Sequence, residues 1–185
     1  MLDSWLTSKT PLLAISGIAG CGKTTLTSHW LNHTISLAPE YEVMYYPCQP
    51  WDTPLGIATS LLHKIGVGVE DGKHDPYNIL EALPLKPGVE IDIDSYRRRL
   101  TAHMLDESGL DTKQEKELLV VLDDVHNIGP EGNYLFGALL QVAEIAPLRL
   151  ILISRNRLSF YDTRDVHTRE TVSYTHLTLP TTPYV

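Results

Sequence analysis

Cysteine is nearly absent from this chain: Cys21 and Cys48 are the two in 185 residues. That number and spacing exclude a disulfide scaffold and a cysteine-based zinc site. Both read as reduced thiols, which implies a reducing compartment. Basic residues are also scarce, with 15 Lys and Arg against 23 Asp and Glu and a net charge of −8. A broad nucleic-acid surface needs a basic face, so this balance argues against direct nucleic-acid binding while leaving room for a small local patch. No apolar run approaches the roughly 20 residues of a membrane-spanning helix. Met1-Leu2-Asp3 lacks the basic start of a secretory leader, so the expected location is cytoplasmic. Internal repeats are lacking too. The remainder is ordinary for one globular domain: 43% of the residues are apolar and 21% charged. That is enough to bury a sizeable core.

Against this background, Gly17-Ile18-Ala19-Gly20-Cys21-Gly22-Lys23-Thr24 matches the phosphate-binding pattern G-x-x-x-x-G-K-[ST] at every fixed position. The apolar run Leu12-Leu13-Ala14-Ile15 before it reads as a buried strand, and a helical pattern through Leu26, Trp30 and Leu31 follows at once. Gly17, Gly20 and Gly22 are expected to turn with positive φ and let the backbone lie close to a phosphate. Backbone N–H groups around Cys21 and the helix start then point into one concavity. Lys23 is expected to reach the β- and γ-phosphates, and the Thr24 hydroxyl to take one position on Mg²⁺. Thr25 can add a hydrogen bond to the α- or β-phosphate.

A second apolar run, Leu118-Leu119-Val120-Val121-Leu122, reads as a strand buried on both faces and ends in Asp123-Asp124. At the carboxyl end of a parallel strand, such a pair faces the ligand crevice. Asp123 is the candidate for the metal and Asp124 for orienting or deprotonating the attacking water. A third run, Leu148 to Ile153, ends at Ser154-Arg155. The planar fork of Arg155 suits it to sensing a γ-phosphate.

Between these anchors the pattern predicts a short helix over Asp3–Ser8 and a crossover helix from Lys23 to His33. A strand is expected over Glu42–Tyr46, then a helix capped by Thr53 with Pro54 in its first turn. The stretch 66–76 reads as a surface loop, 75–83 as a short helix and 95–107 as another, with Asp92 and Asp94 at its front. The last helix is expected over Glu131–Ile145, on the apolar stripe Leu135, Leu139, Leu140 and Val142. Strands alternating with helices mean a parallel sheet covered on both faces.

These three anchors together resemble the signal-transducing NTPases of the STAND class, which include NB-ARC, NACHT and MalT-like regulators. Gly17 to Thr25 is similar to that family's Walker A motif, Leu118 to Asp124 to its Walker B strand, and Ile151 to Arg155 to its sensor strand. The resemblance runs from Leu12 to about Arg155. It implies an α/β, three-layer P-loop NTPase sandwich, with a mostly parallel sheet and an extra strand between the Walker A and Walker B strands. It also implies ATP or ADP with Mg²⁺, slow ATP hydrolysis, and a homo-oligomer in the ATP state formed through further domains. The lid domains of that family have no counterpart here. The expected organisation is a leading helix over 1–10, the NTPase domain over 11–169 and a non-native or disordered tail over 170–185, Thr/Pro-rich and similar to a translated adapter sequence.

Two other readings stay open, a small P-loop kinase acting on a metabolite and a nucleotide-binding switch without turnover. The Arg-poor stretch from Gly129 to Pro147 and the double acid favour the regulator, and the lack of a guanine-reading [NT]-K-x-D favours adenine. Arg97-Arg98-Arg99 reads as a solvated helix face, His126 as an ordinary loop histidine, and Trp51 with Asp52 as a packed loop and helix cap.

Overall fold

The computed structural model describes residues 2–64, 85–86, 90–91, 97–98, 117–160 and 169–174. Helix α1 (Leu2–Leu6) leads into strand β1 (Leu12–Gly17), and helix α2 (Lys23–His33) follows the glycine loop. Strand β2 (Tyr41–Pro47) and helix α3 (Pro54–Lys64) come next, then the two short strands β3 (Leu85–Lys86) and β4 (Glu90–Ile91). Strand β5 (Glu117–Asp123), helix α4 (Gly132–Ala143), strand β6 (Leu148–Ser154) and strand β7 (Arg169–Tyr174) complete the order. The helix anticipated over 75–83 and the loop over 66–76 lie outside the described residues, as does the helix over 95–107 except for Arg97 and Arg98, which are helical.

The main sheet runs β2-β5-β6-β1-β7, every pair parallel, while β3 and β4 form a separate antiparallel ribbon. Strand β6 therefore stands between the strand of the glycine loop and the strand of the acids, so the expected extra strand is present. Parallel pairing also puts the carboxyl ends of β1, β5 and β6 on one edge.

Alternation along the strands divides the core. Leu12, Leu118, Val120, Leu122, Leu148, Leu150 and Leu152 face Ile57, Leu61 and Leu62 of α3 and Leu135, Phe136 and Leu139 of α4. Leu13, Ile15, Leu119, Val121, Ile151 and Ile153 face Leu2 and Trp5 of α1 and Trp30 of α2. Those two clusters are the interfaces of a three-layer sandwich. Each fully buried aliphatic side chain in them contributes about 1.5–3 kcal/mol. Strand β2 is at an edge and only half covered, which is where Pro47 is tolerated because it owes no ladder hydrogen bond there.

One departure concerns an end of the chain. The expected loose tail begins instead with β7, an edge strand paired with β1 from Leu12↔Arg169 to Gly17↔Tyr174. Thr171, Val172 and Tyr174 have the β-branched and aromatic character that suits an extended edge, which the Thr/Pro content of the whole tail obscures; residues 175–185 lie outside the described set. At the other end, residues 2–10 are fastened to the domain. The Arg149 guanidinium of β6 donates to the carbonyls of Trp5 (3.3 Å), Ser8 (2.9 Å) and Thr10 (3.5 Å) and to Glu117 Oε1 (2.9 Å). It also lies 5.6 Å from the centre of the Trp5 ring. Asp3 Oδ1 accepts from Trp30 Nε1 at 2.7 Å, tying α1 to α2.

Candidate functional site

The loop after β1 owes its shape to two glycines. Gly20 (φ +77°) and Gly22 (φ +86°) are left-handed, and a Cβ on Gly20 would strain the backbone although the space around it is open. Gly17 does not turn this way; it closes β1 as a strand residue, which corrects the expectation for that position. Lys23 opens α2 and is 7% exposed. Its ammonium donates to the carbonyls of Gly17 (2.8 Å) and Ile18 (2.9 Å) and lies 3.7 Å from Cys21 Sγ. The cation is thus held over the loop. Thr24 and Thr25 follow it, exposed on the first turn of α2.

Asp123 ends β5 and is 2% exposed. Both of its carboxylate oxygens have donors: the Asp124 backbone N–H gives to Oδ1 (2.8 Å) and the Tyr45 hydroxyl to Oδ2 (2.7 Å). Burial and the Asp123 carboxylate push the Tyr45 hydroxyl well above its ordinary range, opposed by the hydroxyl of Ser28 on α2. Tyr45 therefore remains a donor at every physiological pH. Asp124 is half exposed and left-handed (φ 53°, ψ 38°), a conformation that Asp tolerates. Its backbone turns the chain into a short 3-10 turn, Val125–Ile128.

That turn carries His126, whose Nδ1 lies 3.7 Å from Asp124 Oδ1. Both ring nitrogens are buried without a hydrogen-bond partner. Burial lowers its pKa from 6.5; Asp124 opposes the shift and Arg155 and Lys23 reinforce it. His126 is thus within electrostatic reach of the phosphate-loop lysine and both acids. Arg155 is exposed just beyond β6. Ser154 is buried and accepts from the Asn156 N–H at 3.2 Å, so its hydroxyl serves the local turn.

The other sequence candidates separate. Trp51 is 77% exposed, not packed. Asp52 accepts from the Gln49 N–H at 2.7 Å and Thr53 Oγ1 from the Gly56 N–H at 3.2 Å, the latter being the expected helix cap. Arg97 donates to Gln141 of α4 and is not merely solvated. Cys48 is buried beneath Asp123, its N–H donating to that residue's carbonyl at 2.8 Å. Burial, with help from Asp52, Asp123 and Asp124, pushes its thiol up to about 12. Both cysteines are free.

The donor set fits a nucleotide with a hard cation. One ammonium and left-handed glycines suit a polyphosphate. Among the described residues no group of three or more His, Cys, Asp or Glu converges as a metal cage. Mg²⁺ needs none, because it keeps its waters and takes one or two protein oxygens plus phosphate. Among the described residues, no helix is long and apolar enough to cross a membrane.

A family model described as AAA ATPase domain matches residues 1–153. None of the curated proteins matches the chain. Among solved structures, Aeropyrum pernix ORC1 in complex with DNA is similar, with a TM-score of 0.55 and 17% identity over 91% of this chain and 40% of that one. Drosophila ORC bound to AT-rich DNA and Cdc6 gives a TM-score of 0.58 at 9% identity, over 94% of this chain and 52% of that one. Pyrobaculum aerophilum CDC6P gives 0.52 at 17% identity, over 84% and 36%. The likeness is one of fold, and this chain spans between 36% and 52% of those three chains.

Proposed function

The chain belongs to the AAA ATPase domain family, and on that premise we propose that it is the nucleotide-binding core of a regulatory ATPase of the STAND type. It takes ATP or ADP with Mg²⁺ and hydrolyses ATP slowly, as a switch. The observation that carries this reading is the shared edge: Lys23 and its left-handed loop after β1, Asp123 and Asp124 after β5, and Arg155 after the intervening β6.

In this reading Lys23 exchanges its loop carbonyls for β- and γ-phosphate oxygens, and the amides from Gly20 to Thr24 line the phosphate chain. Thr24 and Asp123 would hold Mg²⁺, which when bound neutralises phosphate charge as a Lewis acid. Asp124 orients the attacking water and accepts its proton, and Arg155 reports on the γ-phosphate.

Lys23→Ala is expected to abolish most nucleotide affinity by calorimetry; unchanged binding would refute the assignment. Asp124→Asn keeps a residue type that tolerates the left-handed backbone, so nucleotide should still bind while phosphate release is lost. If the unaltered protein releases no phosphate either, the switch without turnover replaces the ATPase. Oligomer formation with ATP belongs to the full-length protein and is tested there by light scattering.

Freedom from nucleic acid is not part of this proposal. The Aeropyrum pernix and Drosophila structures hold DNA, while the charge of −8 here opposes a broad DNA face. A fluorescence titration of the full-length protein with duplex DNA, with and without ATP, separates a DNA-associated ATPase from a DNA-independent regulator.

A further inference from the structure

Asp123 is an anion with unusually complete protein partnership for a metal candidate. Its Oδ1 is held by the main chain next door, a bond that comes with the strand end itself. Its Oδ2 is held by a residue 78 positions away, Tyr45 on the edge strand β2. The β2–β5 register places Tyr45 opposite Val121 and Pro47 opposite Asp123. The phenol therefore reaches along the ladder by two residues, the repeat that keeps both side chains on one face of the sheet. Ser28 of α2, five residues past Lys23, acts on the same phenol, its hydroxyl opposing the upward shift. The helix that begins at the phosphate loop and the acid that ends β5 thus both act on one tyrosine.

An oxygen that accepts a hydrogen bond shares electron density that a cation would otherwise draw upon. For Oδ2 to enter the coordination sphere of a divalent ion directly, the Tyr45 O–H must turn away and lose its partner. Tyr45 is 38% exposed, so its freed hydroxyl can turn to water, and what the cation must overcome is the one net hydrogen bond to Oδ2. Resting on the assignment of Asp123 to the metal, we propose that Tyr45 is a positioning residue that competes with the divalent cation for Oδ2, lowering the grip of the site on its metal. The hydroxyl keeps the ion exchangeable, as suits a site that must release it with spent nucleotide.

The test compares the unaltered protein with Tyr45→Phe, which removes one oxygen and keeps the ring. Mn²⁺ is the probe, titrated by electron paramagnetic resonance into the ADP complex at about pH 8, where carboxylates are ionised. ADP affinity is measured separately in chelator. Tyr45→Phe is expected to leave chelator-state ADP affinity unchanged and to tighten Mn²⁺ binding about fivefold, in keeping with one net hydrogen bond. It should also lower the melting temperature without cation and recover more of it when Mn²⁺ and ADP are added. Ser28→Ala, should Tyr45→Phe fold poorly, is expected to tighten Mn²⁺ binding in the same direction by less. Unchanged or weaker Mn²⁺ affinity in the folded variants overturns the proposal. Asp123→Asn keeps the two failures apart: if it leaves Mn²⁺ affinity intact, the metal assignment itself is wrong, whatever Tyr45 does.

Discussion

His126 combines burial with an absence of hydrogen-bond partners, and that gives it a pH signature. Its folded-state pKa lies below the ordinary 6.5, so the unfolded chain takes up the proton first as pH falls. The neutral ring thus contributes stability that is complete above the unfolded value and is lost as pH drops below it towards the folded one. His126→Phe, similar in shape and unable to titrate, is expected to gain on the parent in urea melts between about pH 7.5 and pH 5.5. A pH-independent difference between the two would show that the ring is not the source. Sequence alone places His126 beside the acidic pair but says nothing of its burial, which depends on how the Val125–Ile128 turn folds under it. Tyr45 was less legible still. Nothing local distinguishes it from Tyr46, yet only Tyr45 reaches Asp123, across 78 residues of chain. The loop residues Gly20, Gly22 and Lys23 were readable because their geometry is dictated by neighbours in sequence.

At the scale of elements, legibility follows the apolar pattern. Strands β1, β5 and β6 are continuous buried runs, and their observed spans exceed the anticipated ones only at the ends. Helix α2 matches its expected span from Lys23 to His33. Edge strand β7 was not legible, since an edge needs less burial and its residues sit in a Thr/Pro-rich context. Helix α4 carries a close fit that no periodicity announces. A Cβ on Gly132 would lie 2.8 Å from Phe136 Cε2 and 2.9 Å from Ile128 Cγ2. Phe136 is 1% exposed and has nowhere to go. Gly132→Ala should therefore destabilise the domain by about 1–3 kcal/mol through overpacking, despite the better helix propensity of Ala. A urea midpoint equal to that of the parent would show that the turn before α4 yields instead. Because Ile128 ends the turn that Asp124 opens, phosphate release should fall as well.

Across the whole molecule, the two edges of the sheet have different duties. The carboxyl edge carries the loop, the acids and Arg155; the amino edge carries the Arg149 clasp, which joins β5 and β6 to residues 5–10. Its side chain is 14% exposed, against 30% for Glu117, so its hydrogen bonds are shielded from solvent. Arg149→Met is expected to cost roughly 2–4 kcal/mol in a denaturant melt, by leaving three carbonyls and a carboxylate short of a donor. Nucleotide affinity at the far edge should change little in the folded fraction, and an equal loss of both would show that the edges are coupled. Residues 2–10, expected as a leading helix, are part of the folding unit, as the fully buried Trp5 also requires. The central place of β6 has a mechanical corollary. It is laced by parallel ladders to β1 on one side and β5 on the other, so sliding the lysine's half of the molecule past the acids' half would mean shearing one of those ladders along its whole length. The sheet is an anvil, which would hold the lysine and the acids at a fixed spacing from one nucleotide to the next.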